Sequence, residues 1–379
     1  MMFSYNGKIS EKQLRRMVVL PVFASVIFVL PYLAARLFGA SIVPGLLVFF
    51  VFAGVYVLYI YGMGEWFERS RKGTGKEGYI SVLSEAGIIG KTLSLVQLAR
   101  LVVRLAFYIL LAIAILEDAQ VPFMVKTPDE IYSDVLVVLP LLLVGIYGAN
   151  VQVEKQGRIQ EVLFWLLFVP FLVMMLFGLK EVDYSVFVPK VDKSFGSLLL
   201  YGYMLLVFVL PVENYLYLRP ALRQHKERNT SYLAVILSVV LAILITLFII
   251  GIYGLRGAAD NPLTIIDIMR YIQLPFGVLE RFDVLMIWFF MIGCFVLICG
   301  TLYFAKHIFC SICKNASSVW VLFGLLALAL LIVVYVRDYN NALLTFICYG
   351  AMMDVPFSIV LPLLGIGINR FYEADSEEE

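Results

Sequence analysis

The feature that most constrains this chain is a series of ten long apolar runs with two polar loops placed symmetrically among them. The runs cover roughly 14–37, 41–63, 93–118, 132–151, 159–179, 196–218, 231–254, 283–306, 317–336 and 345–368. Each is close to the ~20 residues that a helix needs to cross a bilayer. The two longest polar loops, 64–91 and 255–282, follow the second and the seventh run. Each loop therefore follows the second helix of a five-helix half. Five is odd, so the second half enters the membrane upside down relative to the first, the sequence trace of an inverted repeat.

The expected fold is thus an all-α integral membrane protein of ten transmembrane helices, built as a 5+5 inverted repeat. Its parts are a cytoplasmic leader 1–13, a membrane domain 14–368 (repeat one 14–179, repeat two 196–368) and an acidic cytoplasmic tail 369–379, of which Asp375–Glu379 is expected to be disordered. Composition agrees: 62% of the 379 residues are hydrophobic and 15% charged. With a net charge of +1, nothing points to nucleic acid. The first run lacks a small-residue cleavage site, so it reads as a membrane helix and not a signal peptide.

Lys and Arg in short loops mark the cytoplasmic side. Eighteen of the 29 fall on the side of the N-terminus and nine on the other, with Arg100 and Arg104 inside the third run. Both termini are therefore expected in the cytoplasm. Segment 261–273 places Ile265, Ile266, Ile268, Met269 and Ile272 among polar residues, the pattern of a short amphipathic helix on the outer surface. Segment 77–90 is a candidate for the same arrangement inside.

Prolines and charges point to the functional region. Proline removes a backbone donor and clashes with the preceding turn. Broken helices in hydrocarbon are tolerated only beside a cavity or packed protein. Span one carries Pro21 and Pro31 with Ala24-Ser25 between them, and span six carries Pro211 followed by Val212-Glu213-Asn214. Breaks in both would expose helix ends to a ligand. Ionisable groups in hydrocarbon are costly and mark functional candidates. Glu213 is the leading one, as a proton-coupling group or a buried charge. Arg104, one turn from Arg100, should face the interior and pair with an acid such as Glu213 or Glu154. Asp354 is a second candidate interior acid, and Asp283 reads as a helix-start charge.

Other patterns carry less. His307, Cys310 and Cys313 supply only three local ligands, so no metal site is expected. Asn229-Thr-Ser and Asn315-Ala-Ser fit a glycosylation sequon but fall on the cytoplasmic side. No Walker loop, nucleophile elbow or H-E-x-x-H is present, so neither ATP-driven transport nor an enzyme is expected, and no cofactor.

Several stretches resemble the endospore germination permeases, the B subunits of germinant receptors, within the amino acid–polyamine–organocation superfamily. They are Ile9-Ser10-Glu11-Lys12-Gln13-Leu14, then Ala24-Ser25 and Leu30-Pro31, and Gly90-Lys91 with Leu93-Ser94-Leu95. Gly157-Arg158 with Glu161 follows, and then Leu210-Pro211-Val212-Glu213-Asn214 with Leu218-Arg219-Pro220. The most specific block is Phe276-Gly277-Val278-Leu279-Glu280-Arg281-Phe282-Asp283, leading to Trp288. The likeness covers nearly the whole chain. It departs from the family at Ala24-Ser25-Val26, where a glycine is common, and at Ser41-Ile42-Val43-Pro44, where a polar–aromatic pair is common.

The resemblance implies a LeuT-like fold with broken helices one and six, and a germinant pocket between spans one, three, six and eight. It also implies residence in the spore inner membrane, with a larger membrane A subunit and a lipoprotein C subunit as partners. In this chain the implied pocket residues are Ala24, Ser25, Tyr108, Phe208 and Gly293, with Glu213 deeper toward the cytoplasm. The leading expectation is a receptor subunit that binds a small nutrient such as an amino acid and signals to its partners. The alternative is a proton-coupled amino acid permease.

Overall fold

A computed structural model describes residues 8–70, 78–85, 87–118, 131–188, 190–222, 231–271, 282–313, 316–336 and 339–377. The fold among these residues is all helical, with no strand beyond one isolated bridge between Ile9 and Leu222.

Helix α1 (Glu11–Phe38) begins with a capping box: Gln13 N donates to Ser10 Oγ, and Ser10 N donates to Gln13 Oε1. From Met17 to Ala35 every residue is buried, which is the signature of a helix enclosed on all sides. The expected break in this span is absent: α1 stays helical through both Pro21 and Pro31. Each proline deletes one hydrogen bond, and neighbours on every side brace the helix across that gap. Gly39, at φ +55, ends it, a conformation that costs glycine least.

Helix α2 (Ile42–Ser70) returns, and the short α3 (Tyr79–Glu85) precedes α4 (Gly87–Asp118), α5 (Ile131–Ala149) and α6 (Val153–Gly178). Span six is broken. Helix α7 (Phe195–Met204) tightens into 3-10 turns at Leu205–Phe208 and Leu210–Glu213, and α8 (Asn214–Leu218) follows. The two limbs are bent by 52°. Helix α9 (Ser231–Asp260) is kinked at Gly254, φ +74, where the apolar run ends in the sequence. The amphipathic segment forms α10 (Thr264–Tyr271), with Ile265, Ile266 and Ile268 buried. Helices α11 (Phe282–Ile312) and α12 (Ser318–Val336) precede span ten. There α13 (Tyr339–Tyr349) widens into a π-turn at Gly350–Asp354 before α14 (Val355–Glu377). Helix α14 thus continues into the tail expected to be disordered. The sequon asparagines 229 and 315 and the Asp283 side chain lie outside the described residues.

Seven helical runs among the described residues are long and apolar enough to cross a membrane, or up to eight if the bent pair α7–α8 is one span. They pack in two groups. Helix α1 lies along α9, while α2 packs on α7 and α9; in the other group α11 lies along α4 and α5, with α12 against α4 and α11. Contacts of α1 with α11 and α6 join the groups. Small residues permit close approach, as is common between membrane helices. At Gly202 an added Cβ would sit 2.8 Å from Val48 and 3.2 Å from the Phe49 backbone nitrogen.

Candidate functional site

The polar centre of the molecule is built on one stripe of α4. Gln97, Arg100 and Arg104 are spaced by three and four residues, so they share a face, and each is at most 3% exposed. Two acids reach this stripe from the second half of the chain. Glu213 comes from the 3-10 turn after the bend in span six, and Asp354 from the end of the π-turn in span ten. A π-turn shifts the helix register, which re-aims the side chains on it.

The bonding is dense. Arg100 donates from Nε to Asp354 Oδ1 (2.5 Å), from Nη1 to Gln97 Oε1 (2.5 Å), and from Nη2 to Glu213 Oε1 and the Asp354 carbonyl (both 2.9 Å). Arg104 donates from Nε to Asp354 Oδ2 (2.6 Å), and from Nη2 to Glu213 Oε1 (2.6 Å) and Asp354 Oδ1 (2.9 Å). Gln97 Nε2 donates to Glu213 Oε2 at 3.0 Å and lies 2.6 Å from the Tyr217 hydroxyl. Two guanidinium groups and two carboxylates leave the cluster with no net charge. That balance is what a low-dielectric interior demands, since an unpaired buried ion costs several kcal/mol. The acid partners of Arg104 are therefore Glu213 and Asp354. Glu154 instead pairs with Arg158 one turn along α6 (2.6 Å).

A small cavity adjoins the cluster. Pro21 closes it from α1, and Leu101, Arg104 and Tyr108 from α4. Pro211 and Asn214 come from the bend of span six, and Leu297, Gly300 and Thr301 from α11. Its volume, about 10 Å³, holds at most about one water molecule. A larger ligand requires the helices to part. Room to grow exists at Gly300, where an added Cβ would meet nothing within 4 Å.

The expected site residues divide around this cavity. Arg104 and Tyr108 line it, and Glu213 is bonded to Arg104 directly behind it. Ser25 is buried beside the Tyr108 phenol, and among the described residues its hydroxyl has no hydrogen-bond partner of ordinary geometry. Ala24 and Gly293 lie where α1 and α11 touch. A Cβ on Gly293 would fall 2.6 Å from the Phe28 ring and 3.7 Å from Ala24, so no space remains there. Phe208 belongs to an aromatic group with Phe107 and Phe346, its ring centroid 6.2 Å from each. Sequence reasoning left out Asn214, Gly300 and Thr301. A small-polar pair such as Gly300-Thr301 inside an apolar helix was the available signal.

At the end of α11 the His307 ring packs on Tyr303 at 4.5 Å. Among the described residues, no group of three or more His, Cys, Asp or Glu side chains could hold a metal ion.

A family model described as spore germination protein matches residues 8–342. The chain belongs to the spore germination protein family. As a member of it, the chain is an integral, multi-pass membrane protein with a permease-like or germinant-receptor role. This family is carrier-like and not a family of enzymes. No curated protein matches the chain.

Proposed function

We propose that this member of the spore germination protein family is the B subunit of a germinant receptor. It binds a small nutrient, an amino acid, in the cavity where spans one, three, six and eight meet. It then signals to a membrane A subunit and a lipoprotein C subunit in the spore inner membrane. The observation that carries the reading is the cavity itself, set at a broken helix and floored by a buried charge cluster, in a chain of this family.

The reading includes ten spans in a LeuT-like 5+5 inverted repeat, with both termini cytoplasmic. The apolar run Glu11–Arg69 is 59 residues long, about 90 Å as one helix and so far more than one crossing needs. It holds α1 and α2. The short apolar helix of Val135–Ala149 and the bent α7–α8 complete ten. Packing supports the two-fold exchange of halves. If α1 corresponds to α7–α8, α2 to α9, α4 to α11 and α5 to α12, contacts should recur in exchanged pairs, and several do. The α1–α9 contact matches α2–α7, and α5–α11 matches α12–α4. The loop helices obey the same rule: α3 packs on α4 and α8, and α10 on α11 and α1. In this reading α3 caps the pathway inside and α10 outside. Ligand shifts the balance between states only by binding one of them better.

A coupled permease would take up a proton at Glu213, whose Oε1 already accepts from Arg100 and Arg104 and whose Oε2 accepts from Gln97. The purified chain in proteoliposomes separates the two activities. The receptor reading predicts saturable binding of a labelled amino acid without its accumulation inside. Accumulation driven by an imposed proton gradient would replace that reading with the permease.

A further inference from the structure

We infer that the cavity selects a ligand of zero net charge, a small zwitterion whose carboxylate sits on Arg104, and that Asp354 and Arg100 set this selectivity from behind the site. The inference rests on the reading of the cavity as a nutrient site.

The first support is position. Among the described residues that line the cavity, Arg104 is the charged one. Its ion pairs run through Nε and Nη2, and Nη1 takes part in none of these bonds. Two carboxylates thus occupy the Nε and Nη2 donors and hold the guanidinium plane in place, which leaves the Nη1 donors for a charge-assisted bond to a ligand carboxylate. Helix α1 is unbroken, so its backbone N–H groups at this depth are spent on its own hydrogen bonds. An anionic group entering here finds Arg104 as its counter-charge.

The second support is balance. Arg100, Arg104, Glu213 and Asp354 sum to zero, and all four are at most 4% exposed. A ligand with a net charge would unbalance a site shielded from water, and that is costly. A zwitterion adds no net charge. Its ammonium group needs acceptors, and Asn214, Thr301 and Tyr108 offer oxygens around the same cavity. Asp354 and Arg100 do not line it, so changing them alters the charge without removing a wall.

The test uses three amino acids of nearly one size: L-asparagine, L-aspartate and L-2,4-diaminobutyrate. Binding to the purified full chain is measured for wild type, Asp354→Asn, Arg100→Gln and the double variant. Wild type should favour L-asparagine over both charged probes. Asp354→Asn should raise binding of L-aspartate relative to L-asparagine on the order of tenfold. Arg100→Gln should do the same for L-2,4-diaminobutyrate, and the double variant, balanced again, should restore the wild-type order. The single variants carry a buried imbalance and risk failing to fold. In that event the wild-type order and the double variant decide. A wild type that prefers either charged probe, or an order unmoved by the variants, overturns the charge selectivity while leaving the nutrient site standing. Binding of none of the three removes the amino-acid reading and this inference with it.

Discussion

At the scale of the residue, burial decides which charges matter. The Arg158–Glu154 pair is the ordinary helix-surface kind, with the Arg158 side chain 46% exposed, and Glu154→Ala should cost only about 0.3–0.5 kcal/mol. Asp354 is fully buried and bonded to two guanidinium groups. Asp354→Asn leaves part of that charge uncompensated and should cost about 3–5 kcal/mol. Thermal unfolding of both variants in detergent checks the contrast; similar midpoints would mean that the cluster is not the anchor described. A gentler effect belongs to the polar connection after α6. There Ser185 donates to Asp183 from its backbone (2.9 Å) and its side chain, holding that carboxyl below its ordinary value of 3.8. A lowered folded value means that the bond stabilises the turn above the ordinary value and is lost as pH falls through the lowered one. Acidification through that range should therefore raise proteolysis within 182–190, and Asp183→Asn should remove the pH dependence of the cleavage.

At the scale of the element, proline alone did not say which helix breaks. Pro211 lies in a true break, inside the second of two consecutive 3-10 turns, where the Glu213 and Asn214 beyond it have partners or a cavity to face. Pro21 and Pro31 leave α1 whole because α9, α6 and α11 enclose it. Enclosure is a long-range property that no local pattern carries. The pocket residues named from span one, Ala24 and Ser25, miss the cavity for the same reason: without a break, α1 presents Pro21 to it instead. Asp354 was legible as a buried acid, but its reach to Arg100 and Arg104 was not, because a π-turn leaves no periodic trace in an apolar run. That turn gives the next test. Met352 and Met353 are exposed, at 73% and 51%, so deleting Met353 removes little packing. It should convert the π-turn to α-helix and rotate Asp354 by about 100° relative to one flank. The protein should then lose as much stability as Asp354→Asn. An unchanged midpoint would show that the π-turn does not position the acid.

At the scale of the molecule, the apolar runs and their polar loops were legible, since a bilayer demands length and hydropathy in every span. Most span boundaries fall near helix ends or kinks, as at Gly254. What the runs could not convey is how the helices pair, with α1 along α9 and α11 along α4. The proposed ten-span arrangement makes a topological prediction. Cys313, exposed beyond α11, should react with an impermeant thiol reagent in inside-out vesicles and not in right-side-out ones. Cys294 and Cys299 are buried and should stay unlabelled in both. Labelling of Cys313 from the outside would contradict an even number of spans between it and a cytoplasmic N-terminus.

The central claim is that a nutrient occupies the cavity between spans one, three, six and eight. Gly300 offers the most direct test, because it lines the cavity and an added Cβ there meets nothing within 4 Å. Equilibrium binding of labelled amino acids should be measured on purified wild type beside Gly300→Val, with thermal unfolding as the check on folding. Wild type should bind saturably and the variant at least tenfold more weakly, about 1.4 kcal/mol, at an unchanged or higher unfolding midpoint. Equal affinity in the two proteins would contradict the claim, because the ligand would then lie elsewhere.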